Sequence, residues 1–161
     1  MVERSSHELQ MWAKYNVMDR LVGLKVVRAA RSHASMFLMD LGEWREEIDA
    51  RGKLRRYGSW CFMVERSSWR LAERGVVICS SESEYQVIET GLSKITEQDV
   101  ISATLYGHKF ADIDIGLEQG YTLSILGSEP IILGSGWTIF NENKTMLSAE
   151  VEVSLQSESI E

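Results

Sequence analysis

The sequence contains no apolar run near the roughly 18–20 residues that a membrane-crossing helix needs. Glu3 and His7 stand where a secretion signal would place its charged lead and apolar stretch. The chain therefore reads as cytoplasmic, with no membrane partner. Cysteine is scarce: Cys61 and Cys79 each sit inside an apolar run, WCFMV and VVIC, which argues against a disulfide framework and points to buried free thiols. Three histidines, with no CxxC, HxH or HExxH spacing, give little from which to build a zinc centre, so neither metal nor cofactor is expected. Nucleophile elbows and phosphate loops are missing too. The segment GSGW (134–137) lacks the GxSxG spacing, and no GxxxxGK occurs. With no catalytic signature, the chain reads as a binding protein and not an enzyme.

Basic residues are scarce in one half only. Residues 1–80 hold 14 Lys/Arg against 10 Asp/Glu, a net of +4, whereas residues 81–161 hold 3 against 14, a net of −11. Such asymmetry is a cue to steering of an oppositely charged partner and says nothing about fold. It also suits a homodimer that sets the basic half of one chain against the acidic half of another. What the chain does have is 44% apolar residues, enough to build one compact domain over 1–161.

The hexamer MVERSS occurs at 1–6 and again at 63–68. Its first copy leads into Ser5-x-x-Glu8, a capping box, and apolar residues at helical spacing up to Gly23, which predicts a helix over 6–22. The second copy continues WCFMV and reads as strand, turn and strand. A longer-range similarity carries more. KVVRAARSHASMFLMDLG (25–42) lies over DVISATLYGHKFADIDIG (99–116), GSWCFMV (58–64) over GYTLSIL (120–126), and SSWRL (67–71) over SGWTIF (135–140).

With turns at Ser32-His33, Gly107-His108 and Gln119-Gly120, each half reads as a run of short antiparallel strands. The fold class expected is mainly β, within α+β: an internally duplicated antiparallel β-meander, sandwich or open barrel with an N-terminal helix. A short linking helix is expected over 82–92, capped by Ser81 and ended by Gly91. The pseudo-repeat halves are 21–80 and 92–156. Segment 43–57, EWREEIDARGKLRRY, is an insertion, read as a short helix or a long hairpin loop. AEVEVSLQ (149–156) alternates as a half-buried strand, and 157–161 form a frayed tail.

The segments LVGLKVV, ADIDIGLEQG and YTLSIL, with the closings Trp69-Arg70-Leu71 and Trp137-Thr138-Ile139, resemble a family of small, internally duplicated, β-rich bacterial proteins of unknown function. The resemblance implies a fold. For members found beside toxin genes it implies an immunity role. Segment 43–57 and the basic first half depart from the family's pattern.

Several residues invite a chemical role. His33 and His108 fall near each other in the repeat, with Asp112 and Asp114 just beyond the second, but turn histidines are the simpler reading. Asp112 and Asp114 are two apart on a strand and share a face, which the plainer reading makes the solvated face of an amphipathic strand. The run RGKLRRY (51–57) followed by Trp60 is the one basic cluster with aromatics beside it. The acidic second half disfavours a polyanion, so nucleic acid is not the expected partner. Of the five tryptophans, Trp69 and Trp137 are related by the repeat and read as core, while Trp44 in the insertion is the best exposed anchor. The expected function is a protein-binding module, most specifically an immunity-type inhibitor that neutralises a basic toxin through Asp112, Asp114, Glu118, Glu129, Glu142 and Trp44. The alternative is a small-ligand-binding β domain with its pocket between the two halves.

Overall fold

In the computed structural model the described residues are 16–65, 67–107, 111–130, 136–141 and 146–148. Helical residues 16–21 (α1) end at a turn where Gly23 takes a φ of +92°, the stop expected from the sequence. Five strands follow: β1 (Val26–Arg31), β2 (Phe37–Ile48), β3 (Leu54–Val64), β4 (Ser67–Glu73) and β5 (Val76–Ser80). Helix α2 (Tyr85–Ser93) leads to five more: β6 (Val100–Tyr106), β7 (Asp112–Leu117), β8 (Tyr121–Pro130), β9 (Trp137–Asn141) and β10 (Met146–Ser148).

All the strand pairings are antiparallel. They form two five-stranded sheets, in the orders β1-β2-β3-β9-β10 and β5-β4-β8-β7-β6. The fold is mainly β, as alternating apolar runs between turn signals require. Read from β6, the second order is the first with β1, β2 and β3 replaced by the strands five places later and β9 and β10 by the strands five places earlier. Each sheet therefore takes three strands from one half and two from the other. The two sheets meet where β1 and β6 begin. There Gly23 and Val26 donate backbone N–H groups to Val100 and Gln98, and Glu97 and Val100 donate to Val26 and Leu24, at 2.7–2.8 Å.

One apolar core lies between the sheets. Phe37, Met39 and Leu41 of β2 and Phe62 and Val64 of β3 point inward, and Ile113, Ile115 and Leu117 of β7 face them with Leu123 and Ile125 of β8. Val17, Met18 and Leu21 of α1 and Ile88 and Leu92 of α2 join the same core. Each such side chain contributes about 1.5–3 kcal/mol by leaving water. Trp69 of β4 packs edge-on against Phe37 at 4.8 Å, and its indole N–H donates to Ser35 O at 2.9 Å. Trp137 of β9 makes the equivalent bond to Ala111 O at 2.7 Å. Each tryptophan thus ties one sheet to the chain entering the second strand of the other.

The linking helix departs from expectation at both ends. It begins at Tyr85 with Glu84 as N-cap and no side-chain cap bond, while Ser80 and Ser83 bond within the turn before it, so Ser81 does not cap. Gly91 lies inside the helix. A Cβ there would come within 2.4 Å of the Cys79 sulfur, so glycine is needed for α2 to approach β5 closely. The strand expected over 149–156, the tail over 157–161 and most of the predicted N-terminal helix lie outside the described residues.

Cys61 and Cys79 are free and buried. Burial, and then the Asp40 carboxylate, pushes the Cys61 thiol up to about 12. Burial alone pushes Cys79 up to about 11. In the unfolded chain both thiols ionise near 9.0. Above that pH the unfolded state releases protons that the folded state keeps, so stability is full below about pH 9 and falls as pH rises further. Urea midpoints should therefore hold level from about pH 7 to 8.5 and decline steadily by about pH 10.5. A level profile to that pH would show that these groups do not titrate differently on unfolding.

Candidate functional site

Segment 43–57 is neither a helix nor a loop. It is the outer part of the β2–β3 hairpin, paired as Trp44↔Gly58, Arg45↔Tyr57, Glu46↔Arg56, Glu47↔Arg55 and Ile48↔Leu54. Glu46 and Glu47 stand across from Arg56 and Arg55 in this register, while the ion pairs that form in the arm are Arg45–Glu47 and Arg55–Asp49. The register shifts between Leu41 and Trp44, around Gly42 with its φ of +82°, and this bulge bends the arm. Gly58 is required at its root, because a Cβ there would lie 2.7 Å from the backbone of Leu41.

Asp49 fixes the far turn. Its Oδ1 accepts the N–H groups of Arg51 and Lys53 at 2.9 Å, and its Oδ2 accepts the Arg55 guanidinium at 3.0 Å. The Lys53 N–H, followed by the Arg55 side chain, holds the Asp49 carboxyl below its ordinary range. Arg45 donates to Gly58 O at 3.1 Å, pairs with Glu47 and lies 5.3 Å over the Tyr57 ring.

The arm turns back over the outer face of β1 and β2. Asp40 points away from the core yet is fully buried at the arm's root. It accepts the Gly58 N–H at 3.0 Å and the Arg28 guanidinium at 2.6 Å. Arg28 also donates to Arg56 O at 3.2 Å. Two cations lie over the Trp44 ring, Arg56 at 4.4 Å and Arg28 at 5.3 Å from its centroid. Trp44 is half-buried in this stack, not the freely exposed anchor expected from its charged neighbours.

Between arm and sheet lies a cleft of about 450 Å³. Its charged lining among the described residues is Arg28, Arg31, Lys53, Arg55 and Arg56, with no carboxylate residue among them, and Ala30, Leu38, Leu54 and Tyr57 supply apolar surface. Three of the five cations are compensated nearby: Arg28 by Asp40, Arg55 by Asp49, and Arg31 by Glu89 of α2 at 3.1 Å, with Tyr85 stacked at 4.3 Å. The ion pairs among the described residues leave Lys53 and Arg56 without a carboxylate. At the arm's tip the cross-strand pair Ile48 and Leu54 is 74% and 59% exposed.

The residues expected to form the site lie apart. Asp112 and Asp114 do share the outer face of β7, but Asp112 is only 6% exposed, close against Gly107, and Asp114 is half-buried beside Tyr106. Burial and then Asp114 push the Tyr106 hydroxyl up to about 12. Glu118 sits in the turn at the other end of β7, roughly 20 Å along the strand from Asp112, where its Oε1 accepts the Asp99 N–H at 3.0 Å. Glu129 lies in the last part of β8, and its side chain, like Glu142 and His108, is outside the described residues. His33 is exposed in the β1–β2 turn. Among the described residues no cluster of three or more metal-ligating side chains occurs. Two further cavities, of about 290 Å³ beside α2 and about 620 Å³ beside the start of β1, draw no lining residue from β6–β10.

Fold and site together define a two-sheet antiparallel β domain that carries a hairpin arm with a cationic cleft beneath it. Comparison with protein-family models, with curated proteins and with solved structures finds no match to this chain. Among the described residues no helix is long and apolar enough to cross a membrane.

Proposed function

We propose that this chain is a protein-binding module and that the β2–β3 arm is its recognition element. The observation that carries the reading is the exposed Ile48–Leu54 pair at the tip of a braced arm, beside two cations that have no carboxylate partner among the described residues. An apolar pair ringed by charge has the apolar-centre, polar-rim layout of a protein interface, and a fixed arm loses little freedom on docking. An immunity-type inhibitor is one form of this reading. The structure favours the arm over the acidic second half as its contact surface, since Asp112 and Asp114 offer a partner little area. Descent of the two halves from one duplicated unit belongs to the same proposal, supported by the matching strand orders and by the equivalent bonds of Trp69 and Trp137. So does a cytoplasmic setting, supported by two free buried thiols.

The test compares wild type with an Ile48→Asp/Leu54→Asp variant as bait in native lysate, with cross-links mapped by mass spectrometry. Both side chains are exposed, so circular dichroism and melting temperature should stay unchanged. A partner cross-linked within 45–57 and lost from the variant is expected, because each buried apolar side chain is worth about 1.5–3 kcal/mol. Equal capture by both baits would sink the proposal.

A further inference from the structure

We infer that the cleft beneath the arm receives an acidic peptide segment, so that the partner presents carboxylates to Lys53 and Arg56. This inference rests on the protein-binding reading and adds the partner's chemistry to it. Five cations line one short cleft, and Asp40, Asp49 and Glu89 compensate only three of them. The uncompensated pair, Lys53 and Arg56, both belong to the arm, one at its turn and one near its root. Ala30, Leu38 and Leu54 supply apolar wall around them, and that surface lowers the local dielectric and strengthens attraction for an entering carboxylate. Leu54 also belongs to the exposed tip pair, so a segment lying across the tip would continue into the cleft.

The alternative polyanion, a nucleic acid strand, fits the same surface less well. Its sequence-tolerant recognition needs free aromatic faces on which bases stack. Here Arg28 and Arg56 already lie over the Trp44 ring, and Arg45 lies over Tyr57. A strand also needs a continuous cationic track, whereas this cleft holds about 450 Å³ and the whole chain carries a net charge of −7. A peptide with a few local carboxylates meets the cleft without confronting the rest of that charge.

The experiment titrates the isotope-labelled full chain with hexaglutamate, hexalysine and a six-nucleotide oligothymidylate at low salt, followed by amide NMR shifts. Hexaglutamate should give saturable shifts at 28–31 and 53–57, weakened by added salt, while hexalysine gives none there. A Lys53→Glu/Arg56→Glu variant, first shown to keep the wild-type spectrum elsewhere, should bind hexaglutamate at least about tenfold more weakly. Absence of saturable shifts in the cleft, equal binding by the variant, or tighter binding of the oligothymidylate would each overturn the inference. The tip variant tests the binding module itself. Partner capture that depends on Ile48 and Leu54, together with no hexaglutamate binding, would refute the acidic segment and leave the module standing.

Discussion

Trp69→Ala should lower the free energy of unfolding by about 3–5 kcal/mol, because it removes one of the largest fully buried side chains and leaves a cavity between the sheets. The edge-on contact with Phe37, worth about 0.5–1.5 kcal/mol beyond its area, goes with it. Trp137→Ala should cost a similar amount, since Trp137 is equally buried and bonds an equivalent carbonyl. Two milder variants separate packing from hydrogen bonding. In Trp69→Phe and Trp137→Phe a ring remains, while Ser35 O or Ala111 O loses its indole donor, at about 1–3 kcal/mol each. Urea denaturation checks all four. Against a total stability on the order of 5–15 kcal/mol, the alanine variants should leave a visibly populated unfolded state at moderate urea. A loss under about 1 kcal/mol at either tryptophan would refute its role as a tie between the sheets.

Asp40→Ala should cost about 2–3 kcal/mol and loosen the arm. The substitution leaves the buried Gly58 N–H without its acceptor and releases Arg28 from the one carboxylate that positions it. Breaking a fully buried ion pair costs more, about 3–5 kcal/mol. Arg28 is 40% exposed, however, and can turn to water, which places the expected cost below that range. Because Arg28 also bonds Arg56 O and stacks on Trp44, its release should speed hydrogen exchange across 44–58 while the β7 and β8 amides stay protected. A double-mutant cycle with Arg28→Ala should return a coupling of about 1–3 kcal/mol. Coupling near zero, or unchanged exchange in the arm, would show that the arm is braced by other contacts.

The parts of the fold that were legible in the sequence are those written in alternation and turns. Phe37, Met39 and Leu41, and Ile113, Ile115 and Leu117, repeat every second residue, and that period alone assigns them to an inward face. Period two also hides a shift of register between the halves. Val26 pairs with Leu41 and Val100 with Leu117, so β7 lies two residues further along than 25–42 set over 99–116 implied. An even shift leaves every side chain on its proper face and is invisible to the apolar pattern. The slip between GSWCFMV and GYTLSIL is odd: strand pairing matches Trp60 with Tyr121, both facing the core, where the alignment had set Trp60 over Thr122.

The arm was illegible for a different reason. EWREEIDARGKLRRY has no apolar alternation, and its paired strands are braced by the Asp49 turn, by the Arg45 bond to Gly58 O and by a guanidinium–indole stack that Arg28 completes from β1. Nothing local to the segment announces that partner. The acidic residues show the converse: spacing placed Asp112 and Asp114 on one face, but their burial depends on packing against Gly107 and Tyr106 that the sequence does not display.

The exchange of strands between the halves also sets a schedule for synthesis. When Ser80 has been made, β4 has β5 on one side but no β8 to pair with on the other, and β3 waits for β9 to join its open edge. Phe37, Phe62, Trp69 and Leu71 stay uncovered until the chain has been extended through Asn141, some 60 residues later. At about 5–20 residues per second that interval lasts about 3–12 s, during which an emerging sticky sheet with an unpaired edge must be kept from its neighbours on the same message.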